Sequence, residues 1–167
     1  RTAADEINYR RFFDINDLAG LRMEDPAVFE ATHALIRRLV ADGTVAGLRI
    51  DHPDGLRDPK AYLQRLQSLA PEGRPLYVVA EKILVGDEPL PEDWPVAGTT
   101  GYEFSNLANT LFVNRDHETA FDAAYAAFSG RREHFSDVVR RCKREILDVH
   151  LRAEFDRLVN LLLGPSR

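Results

Sequence analysis

Apolar positions along this chain alternate between helical spacing and short unbroken runs. Val28, Ala31, Leu35, Ile36, Leu39 and Val40 recur every three or four residues, which predicts one face of a helix. Asp25-Pro26 supplies its start, because an aspartate accepts from free N–H groups and a proline suits the first turn. Gly43 supplies its end. Val45 to Ile50 is a short apolar run, read as a buried strand although Arg49 interrupts it. Asp58-Pro59 repeats the helix start, Tyr62, Leu63, Leu66 and Leu69 form its apolar face, and Pro71-Glu72-Gly73 ends it. Leu76 to Ala80 is the next strand. With Phe12-Phe13-Asp14-Ile15 as a first short strand, residues 12–81 read strand–helix–strand–helix–strand. That alternation defines an α/β unit with a parallel sheet and right-handed crossovers.

The pattern changes after Glu81. Residues 86–103 hold three prolines, three glycines and Trp94, the make-up of a long loop. Beyond it the spacing is helical. Phe121, Ala124, Tyr125 and Phe128 form one stripe closed by Gly130. A longer helix is expected from a cap at Ser136, through Val139, Cys142, Ile146 and Val149, then Phe155, Leu158, Val159 and Leu162, to Gly164-Pro165. The division expected is a partial (β/α)8 barrel segment over residues 1–104, with about three parallel strands, and an α-helical region over 105–167. Three strands are less than half a barrel, and a parallel sheet needs cover on both faces. The block therefore reads as the middle of a larger barrel. Its open edges imply association, either with the remainder of the parent barrel or with itself. The opening residue, Arg1, fits a piece of a longer chain.

Composition narrows the partners. With 44% apolar and 29% charged residues the chain has a globular make-up, and its net charge of −5 offers neither nucleic acid nor an anionic membrane a basic face. No apolar run approaches the length of a membrane span. Cys142 is the sole cysteine, so no internal disulfide or thiolate metal cluster can form; this favours a reducing, cytoplasmic setting. His33, His117, His134 and His150 lack metal-ligand spacing, and no metal or cofactor is expected.

Two of the apolar runs end in a carboxylate. Asp51 and Glu81 are thirty residues apart, about one strand–helix–strand unit. Neighbouring parallel strands lie about 4.8 Å apart. Retaining glycoside chemistry places its two carboxyls about 5 to 5.5 Å apart. Arg49 lies two positions before Asp51 on the strand and so shares its face. A guanidinium there keeps Asp51 anionic, as a nucleophile requires. Each residue also has a plainer reading: Asp51 as a turn cap or an ion-pair partner of Arg49, Glu81 as a helix-initiating or solvent-facing residue, or one paired with Lys82. His52 either hydrogen-bonds a substrate or shapes the turn into Pro53. Trp94, Tyr102 and Phe104 either line a substrate pocket or pack beneath the loop. Arg10 and Arg11 read as surface charges.

Gly-Leu-Arg-Ile-Asp at 47–51 and Val-Val-Ala-Glu at 78–81 resemble the second and third signature regions of the α-amylase superfamily of (β/α)8 glycoside hydrolases. Further segments resemble one branch of it, the maltooligosyltrehalose synthases. These are Asn8 to Arg22, Asp51-His52-Pro53-Asp54-Gly55-Leu56, Glu81-Lys82-Ile83-Leu84 and Trp94 to Phe104. The resemblance implies Asp51 as nucleophile, Glu81 as general acid/base and Arg49 beside the nucleophile, with His52, Trp94 and Tyr102 toward substrate. It implies an isomerase of the intramolecular-transferase type. Such an enzyme moves the reducing-end α-1,4 linkage of a maltooligosaccharide to an α,α-1,1 (trehalose) linkage through a covalent glycosyl-enzyme. The family's first and fourth regions have no counterpart here; Asp116-His117 has the reverse order of the His-Asp pair of the fourth. The isolated chain is accordingly expected to be inactive. Two other readings stay open: an α-glucan hydrolase or transferase of the same superfamily, and a non-catalytic binding or interaction module.

Overall fold

A computed structural model describes residues 8–164. The strands are β1 (Arg11–Phe12), β2 (Ile15–Ala19), β3 (Gly47–Ile50), β4 (Tyr77–Ala80) and β5 (Gly98–Thr99). The α-helices are α1 (Pro26–Ala41), α2 (Pro59–Gln67), α3 (Tyr102–Thr110), α4 (Glu118–Ser129), α5 (Phe135–Glu145) and α6 (Arg152–Leu163). Short 3-10 turns occupy Pro53–Gly55 and Arg115–His117. The chain forms two compact units, one of Arg22–Asn114 and one of the segments on either side of it.

In the Arg22–Asn114 unit, β3, β4 and β5 form a parallel sheet in that order. Both expected helix starts are present. Asp25 accepts from the Ala27 N–H at 2.8 Å, and Asp58 from the Ala61 N–H at 2.9 Å. Gly43, at φ 77°, takes the left-handed conformation beyond α1 that a side chain would oppose. Helices α1 and α2 supply Phe29, Val40, Leu63 and Leu66 to a core completed by Leu69, Leu76 and Val78. Ile36, Val45, Leu48, Ile50 and Trp94 pack against it. The strands alternate accordingly: Val78 and Ala80 are buried, whereas Tyr77 is exposed. Val78 is in register with Leu48, and Tyr77 with Gly47. One face of the sheet is thus packed on helices, and the opposite face carries Gly47, Arg49, Tyr77 and Val79. A methyl at Gly47 would lie 2.8 Å from the Tyr77 carbonyl oxygen, so the close strand approach there requires glycine.

One polar group is built into this core. His33 is buried, with Nδ1 3.0 Å from the Phe29 carbonyl and Nε2 2.9 Å from the Tyr62 hydroxyl. A carbonyl only accepts, so Nδ1 carries the proton and Nε2 accepts from Tyr62. Burial raises the Tyr62 pKa, which keeps the phenol protonated. His33 is a structural residue.

Four expectations are corrected. Residues 12–15 do not form a strand of the parallel sheet; β1 and β2 pair antiparallel in the other unit, and the third parallel strand is β5, inside the expected loop. β5 escaped notice because it is two residues long. Helix α3 runs across residue 104. The helix expected from Ser136 to Leu162 is broken: α5 ends at Glu145, a π-helical turn covers Ile146–His150, and α6 starts after Leu151. Finally, Arg11 is buried rather than a surface charge. Its guanidinium donates to Glu154, to Asn16 Oδ1 and to the Asp14 and His150 carbonyls. The apolar stripes of α4 and α6 are largely exposed, Phe128 and Leu162 among them. Pro165 lies outside the described residues.

Truncating a fully buried core side chain tests this packing. Phe29→Ala is expected to cost about 3–5 kcal/mol, read as a shift in the urea unfolding midpoint. A change below about 1 kcal/mol would contradict a core centred on that ring.

Candidate active site

The register of β3 and β4 is what assembles the site. Each β3 residue pairs with the β4 residue thirty positions later: Gly47 with Tyr77, and Ile50 with Ala80. The Glu81 N–H donates to the Ile50 carbonyl at 2.8 Å and continues the ladder beyond β4. Asp51 and Glu81 therefore fall opposite one another. Side chains alternate along a strand, so Arg49, Asp51, Val79 and Glu81 all belong to the face away from the helices.

The contacts follow from this placement. Arg49 Nη1 is 2.9 Å from Asp51 Oδ1, and Nη2 is 3.2 Å from Glu81 Oε1. One planar guanidinium bridges both carboxyls. The His52 backbone N–H donates to Glu81 Oε2 at 3.2 Å, and the Tyr102 hydroxyl donates to Glu81 Oε1 at 3.3 Å. The environments of the two acids differ: the Asp51 side chain is 61% exposed and that of Glu81 is 20% exposed. The Glu81 carboxyl, followed by the Arg49 guanidinium, holds Asp51 below the usual carboxylate range.

His52 has φ 48° and ψ 50°, a left-handed conformation rare outside glycine. It reverses the chain directly after Asp51 and aims its N–H at Glu81. Gly55 leaves room for the ring, since a methyl there would lie 2.5 Å from His52 Cδ2. The turn is held by buried Pro53 and by Gly55 N–H donating to the His52 carbonyl at 3.0 Å. Tyr102 is the first residue of α3, just after Gly101, whose φ of 90° turns the chain from β5 into that helix.

Arg49, Asp51, His52, Glu81 and Tyr102 are thus brought together. Trp94 is not. It packs on the core, and the adjoining Pro95 carbonyl accepts from Gln67, which also bonds the Leu76 carbonyl at the N-terminal end of β4. Trp94 therefore lies toward the end of the sheet opposite the carboxyls. Phe104 is exposed on α3. Glu81 does not pair with Lys82. Lys82 instead contacts Asp54 Oδ2 at 3.1 Å and Glu88 Oε1 at 2.8 Å. These two carboxylates were not anticipated; nothing in their spacing separates them from ordinary loop acids. Among the described residues no group of three or more His, Cys, Asp or Glu side chains is arranged to hold a metal ion, and no helix is long and apolar enough to cross a membrane.

An α/β unit that closes two carboxyls on one arginine, at the C-terminal ends of adjacent parallel strands, has the make-up of a glycoside-processing site. Comparison with known proteins gives this class a family. The chain is 46% identical over 115 residues, 69% of its length, to a protein of Mycobacterium tuberculosis (strain CDC 1551 / Oshkosh) that carries the name maltooligosyl trehalose synthase. It superposes on the solved maltooligosyltrehalose synthase of Arthrobacter ramosus with a TM-score of 0.89 and 43% identity, over 98% of the chain. A structure described as DSM5389 glycosyltrehalose synthase matches with a TM-score of 0.86 and 39% identity, over 95% of the chain. No family model matches the chain. The kinship with maltooligosyltrehalose synthases first seen in the motifs is thus shown in both sequence and fold. The chain spans 15% of the curated relative and 21% of the two solved ones.

Removing the bridging cation tests the electrostatics. In Arg49→Met, Asp51 is expected to titrate at a higher pH than in the parent, followed through its side-chain carboxyl carbon by NMR. An unchanged titration would show that Arg49 does not contribute to holding Asp51 ionised.

Proposed function

We propose that this chain supplies the nucleophile and the general acid/base of a retaining, intramolecular glycosyl transfer on maltooligosaccharides, within a larger (β/α)8 enzyme. The observation that carries the proposal is the single guanidinium bridging Asp51 and Glu81 at the ends of adjacent parallel strands. Protonated Glu81 gives its proton to the last α-1,4 glycosidic oxygen while anionic Asp51 attacks the anomeric carbon. The C–O bond breaks, an ester to Asp51 forms, and glucose is released into the site. Glu81, now a carboxylate, takes the proton from the anomeric hydroxyl of that glucose. The resulting oxygen attacks the esterified carbon, Asp51 leaves, and an α,α-1,1 linkage closes the cycle.

The differing exposure of the two acids supports this division of labour. Asp51 is exposed and held anionic, whereas Glu81 is largely covered and accepts from His52 N–H and Tyr102. The names of the relatives support the substrate class. The helix-free face of the sheet, which carries Arg49, Asp51 and Glu81, is the face a closed barrel turns inward. The rest of the barrel covers that face and contributes the superfamily's third carboxylate. On this reading the segment alone does not turn over substrate.

The test is Asp51→Asn in the full-length enzyme that carries this segment. With maltopentaose, the parent is expected to give a product ending in a 1,1-linked glucose pair by NMR. The variant should lose turnover by a factor on the order of 10⁴. Free glucose or maltose as the parent's main product would point instead to a hydrolase. Full activity of Asp51→Asn would refute the assignment.

A further inference from the structure

Lys82 follows Glu81 directly, and the two side chains leave β4 toward different partners. Glu81 meets Arg49 and the His52 N–H. The Lys82 ammonium reaches Asp54 Oδ2 at 3.1 Å, inside the turn that begins at His52, and Glu88 Oε1 at 2.8 Å, in the loop after β4. Its side chain is only 12% exposed, although Asp54 and Glu88 are each more than 40% exposed. Glu88 above all, and then Asp54, raises the Lys82 pKa and keeps it charged. Glu88 is itself oriented, since its Oε2 accepts from the Val85 N–H at 3.3 Å.

These contacts form a closed ring. From Glu81 it passes through the peptide to Lys82, across the ion pair to Asp54, back along the turn to His52, and through the His52 N–H to Glu81. The loop after β3 is therefore attached to the end of β4 at two adjacent residues. One attachment leaves a strand end free to rotate about it; two do not. The ring spans the junction across which the Asp51 and Glu81 carboxyls must keep their separation. Buried Pro53 belongs to the same turn.

We propose that Lys82 is a positioning residue: by latching the Asp54 turn and the Glu88 loop to the end of β4, it fixes the spacing of Asp51 and Glu81 for reaction. This rests on the proposed function of the same site. Lys82 itself does not touch the reacting atoms. Loss of the latch leaves substrate affinity nearly intact and slows the chemical step, because a small misplacement of reacting groups is costly while remote sugar contacts persist.

The experiment uses the full-length enzyme carrying this segment. Lys82→Met, Asp54→Asn, their double variant, Lys82→Arg and Asp51→Asn are compared on maltopentaose, with kcat expressed per correctly folded molecule. Lys82→Met is expected to lower kcat by about tenfold to a hundredfold, with KM changed less than about threefold. Lys82→Arg, which keeps a cation with donors for both carboxylates, should recover most of that loss. Asp54 is exposed enough for its variant to fold whatever happens to Lys82→Met. It should lower kcat in the same direction, and the double variant should be no worse than the more impaired single one. If Asp51→Asn abolishes turnover while Asp54→Asn, or a folded Lys82→Met, stays within about twofold of the parent, the latch is refuted and the nucleophile assignment stands. Additive losses in the double variant, or no recovery with Lys82→Arg, would also refute it. If Asp51→Asn remains active, the reading of the site itself has failed.

Discussion

Everything at this site depends on the parallel register of β3 against β4. An offset of thirty residues places Asp51 opposite Glu81, and the period of two along a strand puts Arg49 on their side of the sheet. A slip of one residue would turn one carboxyl toward the helices and away from the other. The register is defended locally. Gly47 admits the Tyr77 backbone where any side chain would collide with it, and Leu48 and Val78 pair across the strands and pack on the core beneath. The same apolar alternation that anchors the sheet to α1 and α2 therefore sends the functional side chains to the opposite face.

Arg49 ties the two acids together. Two carboxylates this close repel unless a cation or a shared proton intervenes. The guanidinium supplies the cation, in a planar shape that reaches one oxygen of each acid. Glu81 and Arg49 hold Asp51 below its ordinary range, and Glu81 is the better covered of the two acids.

Much of this was legible in the residues. The caps at Asp25 and Asp58, the helix faces and the strands ending at Ile50 and Ala80 follow from short-range rules that need no knowledge of the rest of the chain. The meeting of Arg49 with Asp51 was equally readable, because it requires only two positions on one strand. What escaped notice depends on contacts distant in sequence or on very short elements. β5 is recognisable as a strand only through its pairing with Val79 and Ala80. Arg11 looks like a surface charge until Glu154, Asn16 and the Asp14 carbonyl gather around it. Lys82 beside Glu81 suggests a neighbouring ion pair, yet strand geometry separates adjacent side chains and sends the ammonium to Asp54 and Glu88. Trp94 carries the composition of a sugar-contacting aromatic, but Gln67 ties the adjoining backbone to the other end of the sheet, where its ring is used for packing.

The central claim is that Asp51 is the residue that becomes covalently attached to sugar. It is tested most directly by trapping. A fluorinated α-glucosyl fluoride carries a leaving group that needs no general acid, so it reacts with the nucleophile even in Glu81→Gln, and its ring fluorine slows release of the ester. After incubation of the full-length Glu81→Gln enzyme with this reagent, digestion and mass spectrometry should place the added glucosyl mass on the peptide carrying Asp51, and fragmentation should assign it to that side chain. Attachment to any other residue, or the same labelling in an Asp51→Asn background, would contradict the account.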